Sequence, residues 1–518
     1  MASRKTKRSP NGDSNNIAES SEELFELNSV SVDTFNGNIE VEWDKDAATT
    51  PFGQLPFLIE FLKIGNLFEP WVDDCPLHLT SPNAPNKRDI LGTVLLSVLA
   101  GHTRYAHVTA IRNDGINPEL LGMTKIVSED SLRRSLGKID ETEGVSWLQE
   151  HLKRCYAPLL TTAWILDVDT TVKTLFGNQE GAEVGYNPHK PGRPSHSYHT
   201  YSIANLRLIL DVDVEAGNHS TANYTAPGLW SIIDNLPFDS RPAFIRGDCG
   251  FGNDNMMRGA EMRDLPYLFK LRQSKNVKSL IEQLSRGSDY WEDAGQGWRG
   301  IESSIRLQGW DIERRVIVIR RKIRNNVVLL QADEVNKNNE LSFGEIIPHG
   351  EMYEYAVLIT SLDGEICSIA QLYRDRADCE NTFDEMKNQW GWGGFTTQDL
   401  HRCRLMARTI ALIYNWWNIF VRLAQPEKHL EAISSRPLLM HGVAKQTMHA
   451  GKSKIKVSSQ HGKSGMIQLF LGRITSFFNE LKLIAEQLTK QEIWSRILSK
   501  AVEKYLNVNP LKPPICLN

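Results

Sequence analysis

The stretch "TTAWILDVDTTVKTLFG" (Thr161–Gly177) is where the chain changes texture. Upstream, from about Pro51 to Leu160, apolar residues recur at spacings of three and four, as in "PFGQLPFLIEFLKIGNLF" and "KRDILGTVLLSVLAG". That is the period of helices burying one side. From Thr162 the residues become β-branched and alternate in polarity, and "NQEG" supplies turn residues, so a strand is predicted. Its core, "ILDVD", occurs twice, at Ile165–Asp169 and Ile209–Asp213. Carboxylates at alternate strand positions project to one face. Both copies therefore offer a paired-acid face, and periodicity does not separate them.

Working outward, a Pro/Gly/His-rich stretch "GYNPHKPGRPSHSYH" leads into the strand "NLRLILDVDVEAG". Helical "APGLWSIIDNL", strand "PAFIRGD", helical "NDNMMRGAEMRD" and strand "PYLFKLRQ" follow. Three strands and then alternating helices and strands predict an α/β domain around a mixed sheet. Between Tyr290 and Leu372 the signal is again strand-rich ("RRVIVIRRKI", "NVVLLQADEV", "EYAVLITSL"), in the manner of a β-rich insertion. Beyond Tyr373 the pattern is mostly helical. Residues 1–40 are polar without a sustained period and read as a mobile tail. The helix "SEDSLRRSLGKI", with a good N-cap and the basic pair Arg133–Arg134, reads as a capped surface helix.

Bulk properties narrow the class. The 518-residue chain has a formal net charge of −4, so no global basic character points to nucleic acid. Seven scattered cysteines without a CxxC pair argue for a reducing compartment and against zinc or a disulfide framework. The amino terminus lacks the apolar core of a signal peptide, and no apolar run is long enough to span a membrane. A soluble cytoplasmic protein is expected. Local charge tells more: from Ala432 to Asn479 there is no Asp or Glu, yet Arg436, Lys445, Lys452, Lys454, Lys456, Lys463 and Arg473 are present with three histidines. "HKPGRPSH" (His189–His196) and "RRVIVIRRKIR" (Arg314–Arg324) are further basic segments. Such clusters supply the phosphate-contact energy of nucleic-acid binding.

The most informative segment is "YRDRADCENTFDEMKNQWGWGG" (Tyr373–Gly394). At 100° per residue, Tyr373, Arg376, Glu380, Asp384 and Lys387 fall within about 80° of one another. Leu372, Cys379, Phe383, Met386 and Trp390 form an adjoining apolar face, with Arg374, Asp378, Asn381, Glu385 and Asn388 opposite. One continuous helix would hold a Tyr/Arg/Glu/Lys row at the margin of its buried side. Alone, an Arg376–Glu380 pair at i,i+4 is a common surface feature worth a few tenths of a kcal/mol.

The spacing Tyr-x2-Arg-x3-Glu-x6-Lys, met by Tyr373, Arg376, Glu380 and Lys387, resembles the signature of the DDE transposases of bacterial insertion sequences that carry a YREK box. Asp169-Thr170-Thr171 is similar to the family's first Asp, and Asp248 in "IRGDCGFGN" to its second. The similarity runs from about Trp164 to Trp417. It implies a ribonuclease-H-like mixed sheet at 161–289 and 373–425, with a β-rich insertion at 290–372. A tail (1–40), a helical N-terminal DNA-binding domain (41–160) and a basic, mostly helical C-terminal region (426–518) complete the expected organisation. The resemblance selects the first "ILDVD" copy and Asp169 rather than Asp167, which stays a candidate auxiliary acid. Asp211 and Asp213 then belong to a neighbouring structural strand. It further implies that Asp169, Asp248 and Glu380 are catalytic and hold two Mg2+ ions, with Mn2+ able to substitute. Carboxylates suit such hard ions, and an ion pair serves in-line displacement at phosphorus. Tyr373, Arg376 and Lys387 would hold phosphates of the DNA end. Lys190 and Arg193 would bind DNA, and Trp392 would stack on an unpaired base, Trp390 being the better candidate for core packing.

The implied activity is metal-dependent cleavage at inverted-repeat ends and strand transfer into target DNA, by a homodimer in a synaptic complex, in a bacterial cytoplasm with nucleoid association. One rival is a DNA-binding descendant that no longer cuts. The other is a hydrolase with paired carboxylates and no metal, such as a glycosidase.

Overall fold

The computed structural model describes residues 29–44, 48–288, 290–323, 344–346, 352–449 and 452–506. The predicted strand "NVVLLQADEV" lies outside the described residues. The described residues up to Asp44 form one compact unit and those from Ala48 onward the other. In the first, β1 (Ser29–Thr34) and β2 (Gly37–Glu42) make an antiparallel hairpin. The end of the expected tail is thus a strand pair: "SVSVDT" and "GNIEVE" alternate around the turn at Asn36–Gly37.

The second unit opens with β3 (Thr49–Thr50) and continues through the expected helices, among them Leu55–Ile64, Lys87–Leu99, Glu129–Leu136 and Glu141–Tyr156. Asn86, Ser128 and Asp140 cap the last three by accepting from the N–H three residues on. Arg133 pairs with Glu129 and Asp130 inside its own helix, the surface role expected for that segment.

Eleven strands among the described residues form one mixed sheet. They are β4 (Ile165–Thr174), β5 (Glu183–Val184), β6 (Pro194–Ile203), β7 (Leu208–Ala216), β8 (Phe244–Gly247), β9 (Tyr267–Lys270), β10 (Glu292–Gly295), β11 (Trp298–Ile305), β12 (Arg314–Lys322), β13 (Gly344–Ile346) and β14 (Met352–Thr360). β4 is an interior strand, antiparallel to β6 and parallel to β8, and β8 is parallel to β9. β7 pairs with the far side of β6. The strand-rich 290–372 segment is no separate layer. β14 pairs directly with β9 and carries β12, β11 and β10 outward in the same sheet.

The Leu400–Ala424 helix is buried at every residue from Leu405 onward, as a helix apolar on all sides must be. It packs against β7 and the 141–156 helix. Several of its polar groups bond to β7 and the turn before it: Asn415 accepts from Ile209 N–H at 2.9 Å and donates to Ile209 O at 2.7 Å. Asn418 and Arg422 both donate to Leu206 O. Arg408 bridges Asp211 (2.8 Å) and Asp213. The second "ILDVD" copy therefore fastens this helix to the sheet, the structural role expected of it.

The C-terminal region mixes helix and strand. After Ala432–Leu439 come β15 (Ala444–His449) and β16 (Lys452–Val457), which join β3 in a three-stranded sheet. Helices Ser464–Ile484 and Lys490–Ala501 follow, the latter starting at a Thr489–Glu492 capping box. The six cysteines among the described residues are free thiols, and no helix there is long and apolar enough to cross a membrane. Replacing Arg408 by Met would leave the buried Asp211 and the half-buried Asp213 carboxylates side by side without their cation, so a loss of about 3 kcal/mol is expected in denaturant unfolding. Retention of wild-type stability would mean that the pair does not fasten the helix.

Candidate active site

The site follows from strand register. Ile165, Asp167 and Asp169 share one face of β4, and Phe244, Arg246 and Asp248 share the same face of β8 and its exit. In the parallel ladder Ile165 is opposite Phe244 and Asp167 opposite Arg246. The next step sets Asp169 beside Asp248, with strands about 4.8 Å apart. The rows thus run from an apolar pair through an ion pair to two like charges.

Each step has a partner in the layer above. Ile165 and Phe244 belong to an apolar cluster with Leu268, Ile317, Leu358 and the helix Ile366–Arg374, which contributes Ile366, Ile369, Ala370 and Leu372. Core strands and insertion strands together seat that helix. Asp167 is 2% exposed and accepts from Arg246 through both oxygens, at 2.6 and 2.7 Å. With both oxygens so occupied, Asp167 is a structural acid. The third guanidinium nitrogen of Arg246 donates to Leu372 O.

That donation breaks the predicted continuous helix. In an unbroken helix the Leu372 carbonyl would accept from Arg376 N–H. Here the Arg376 N–H bonds to Tyr373 O at 3.1 Å, and a second helix starts at Ala377 and runs to Gln389. Tyr373 lies in the last turn of the first helix, which ends at Arg374, and Arg376 is the N-cap of the second, so the expected row is bent at its second member.

The bend carries Arg376 between two acids. It donates to Asp169 Oδ2 at 2.5 Å and to Glu380 Oε1 at 2.9 Å. Asp169 is nearly buried, while Glu380 has an exposed side chain. Burial pushes the Asp169 carboxyl up to about 7, with the charges of Asp248 and Glu380 adding to the rise and Arg376 and the Thr170 N–H opposing it. Burial also opposes the charge on Arg376, yet Asp169 and Asp248 hold it fully protonated. Tyr373 is half-buried, and its hydroxyl is pushed up by burial and by nearby Asp248. Lys387 follows Glu380 by seven residues, on the same side of the helix about 10 Å farther along.

Other expected residues lie apart or face inward. Trp392 is buried at 2% exposure, packs against Tyr198 and donates to Ala407 O at 3.1 Å. Its expected role of stacking on a base is corrected to a core role. The reason is the turn at Gly391, whose φ of +93° suits glycine and swings Trp392 back so that its N–H reaches Met386 O. Trp390 is also core. Glu385, expected opposite the apolar face, is 1% exposed and accepts from His429, Trp390 and Ala432 N–H. Burial opposes its charge, but His429 and these donors hold the carboxyl below its ordinary value. Lys190 and Arg193 are exposed and lie 4.8 and 5.9 Å from the ring centre of Phe176, itself 71% exposed. Phe176 was missed in the sequence, although "TLFG" placed an aromatic where a strand ends.

Among the described residues no three His, Cys, Asp or Glu side chains already form a metal cage. Arg376 fills the gap between two of the acids. The donor chemistry nevertheless fits a hard divalent ion, because all three groups are carboxylates and the space between two of them already holds a cation.

Residues 83–477 match the family model of transposase DDE domain group 1. The chain belongs to this DDE transposase family. The match takes in all three acids and the bent Tyr/Arg/Glu/Lys segment. No curated protein matches the chain. Among solved structures, a piggyBac transposase in a synaptic complex with hairpin DNA aligns over 88% of each chain, at 11% identity and a TM-score of 0.35.

The Arg246 fork yields a test on this DDE chain. Arg246→Met strands the Asp167 carboxylate and should cost about 3–5 kcal/mol of stability. Asp167→Leu/Arg246→Met should recover most of that loss. In the double variant the freed Leu372 carbonyl should take the Arg376 amide, slowing its hydrogen exchange. Unchanged exchange there would show that the bend has another cause.

Proposed function

We propose that the chain is a cut-and-paste transposase of the bacterial insertion-sequence type with a YREK row. It cuts DNA at terminal inverted repeats and joins the ends to target DNA. The observation that carries this reading is the like-charged end of two parallel strand rows, Asp169 and Asp248, tied to Glu380 through Arg376. The strand order β7-β6-β4-β8-β9, with three antiparallel strands and two parallel to the first, supports a ribonuclease-H-like core. We assign that core to 161–289 and 373–425, with the insertion at 290–372 widening its sheet, a DNA-binding role for 41–160 and a basic C-terminal region from 426.

Asp169, Asp248 and Glu380 would hold two Mg2+ ions, or Mn2+ in their place. Bound there, the ions would activate a water or hydroxyl oxygen and neutralise the leaving oxygen. The chain's own groups do the positioning. Arg376 keeps Asp169 and Glu380 from repelling each other in the free protein. When a DNA phosphate arrives, the guanidinium gains an acceptor that suits it equally well and releases both carboxylates. Lys387, farther along the same helix side, holds a neighbouring phosphate, and the Tyr373 hydroxyl, kept protonated, donates to another. Phe176 with Lys190 and Arg193 forms an exposed cation–aromatic surface that suits an unpaired base and its phosphate. A homodimer holding two ends matches the need to cut both.

Duplexes taken from the DNA flanking the gene, incubated with Mg2+, test this assignment. Wild-type protein should nick them at the repeat ends, and EDTA should abolish cutting. Asp248→Ala should cut at least a thousandfold more slowly yet bind within a few-fold, because it removes a metal ligand and no DNA contact. Cutting that survives EDTA or the Asp248 change would overturn the metal site. A separate measurement concerns Phe176→Ala, which should weaken binding to a duplex with a single-stranded end about tenfold, within the ~1–3 kcal/mol of one base–aromatic stack. Binding to a blunt duplex should hardly change, and equal losses on both would refute stacking.

A further inference from the structure

The acid-free stretch of the C-terminal region folds into a ribbon whose charge is sorted by side. In the β15–β16 register, Lys445 is opposite Lys456, Thr447 opposite Lys454 and His449 opposite Lys452. Residues directly opposite share a face, so these four lysines, the histidine and the threonine occupy one side. All four lysines and His449 are exposed. The other side carries Ala444, Gln446, Met448, Ser453, Ile455 and Val457. Among the described residues, Lys452, Lys454 and Lys456 have no carboxylate within ion-pair distance. His461 and Lys463 continue the exposed basic run toward the 464–484 helix.

Folding does not explain the array. Cations gathered on one face of a strand pair repel one another. Lysines on an edge strand guard against aggregation, which accounts for those on β16. It does not account for His449 on the inner strand, on the same face. The array is instead suited to a regular polyanion. Same-side residues repeat about every 6.7 Å along a strand, in columns about 4.8 Å apart. Lysines are point charges without the planar fork of arginine, so they hold phosphates without reading bases. A membrane surface fits poorly, because an interfacial element carries its apolar side chains into the lipid beside its cations. Here Met448, Ile455 and Val457 point the opposite way.

We propose that the lysine face of the β15–β16 ribbon is a sequence-independent docking surface for the phosphate backbone of duplex DNA. The inference rests on the transposase reading, to which it adds a contact surface on a separate, three-stranded sheet. His449 adds a hydrogen-bond donor to the same strip.

Fluorescence anisotropy with a short duplex of arbitrary sequence, in EDTA, tests it. Protein carrying Lys452→Ser/Lys454→Ser/Lys456→Ser is compared with wild type and with Lys490→Ser/Lys500→Ser/Lys504→Ser, which loses the same charge elsewhere. Over roughly 50–200 mM salt, the ribbon variant should show a slope of log affinity against log salt shallower by about 2–3, near 0.9 per lost phosphate contact. Its affinity at low salt should fall at least tenfold, and the control should match wild type. The thermal midpoint of the ribbon variant should stay level or rise, since it loses like-charge repulsion. A ribbon variant that binds as wild type does, or a control that weakens equally, overturns the surface and leaves the transposase reading standing. Absence of duplex binding by wild type defeats both. Loss of binding to phosphatidylserine vesicles by the ribbon variant, with its DNA slope unchanged, assigns the face to a membrane and overturns the proposal.

Discussion

The candidate site depends on one buried ion pair. Asp167 and Arg246 face each other across neighbouring parallel strands, and the remaining arginine nitrogen takes the carbonyl of Leu372. A buried pair of this kind is a poor source of net stability, because desolvation consumes most of the attraction. Its value is geometric. It draws one carbonyl out of a helix, and the chain restarts its helix two residues later with Arg376 pointing down at Asp169. Without the fork, the segment from Ile366 to Gln389 has no proline or glycine to interrupt it, and the arginine would follow the helix surface.

The same logic governs charge. Asp169, buried and set by register beside a like charge, gains proton affinity and invites a cation. The protein supplies one of its own, Arg376, whose guanidinium spans two acids from different elements. This arrangement keeps the acid cluster folded without a bound ion and still leaves Glu380 open to solvent. The insertion strands take part from a distance. They extend the sheet through β14 and, with the core strands, form the apolar bed on which the 366–374 helix lies.

Much of this was legible in residue order. β-branched alternation marked β4 and β7, "PAFIRGD" read as the strand β8, and the family resemblance singled out Asp248 at its exit. The helical faces of 55–160 and 400–424 followed from spacing. What the sequence concealed were consequences of distant contacts. The break at Asp375–Arg376 needs Arg246, 130 positions upstream of Arg376. Glu385 reads as solvent-facing until His429 and the Ala432 amide are brought to it. Trp392 reads as free until Gly391 turns it beneath the 400–424 helix. The lysine ribbon was visible as composition, but its one-sidedness appears only once two strands are paired in register.

The fastening of the 400–424 helix to β7 has a consequence for biogenesis. A chain emerging from the ribosome exposes Asp211 and Asp213 long before Arg408 exists, with two hundred residues still to be made. Until then Asp211, with Gln149 as a neutral donor, and the half-buried Asp213 lack their cation on the side that the helix will cover, so this side resists premature collapse. Closure waits for the late helix, and a prematurely terminated polypeptide would remain an open, protease-sensitive fragment.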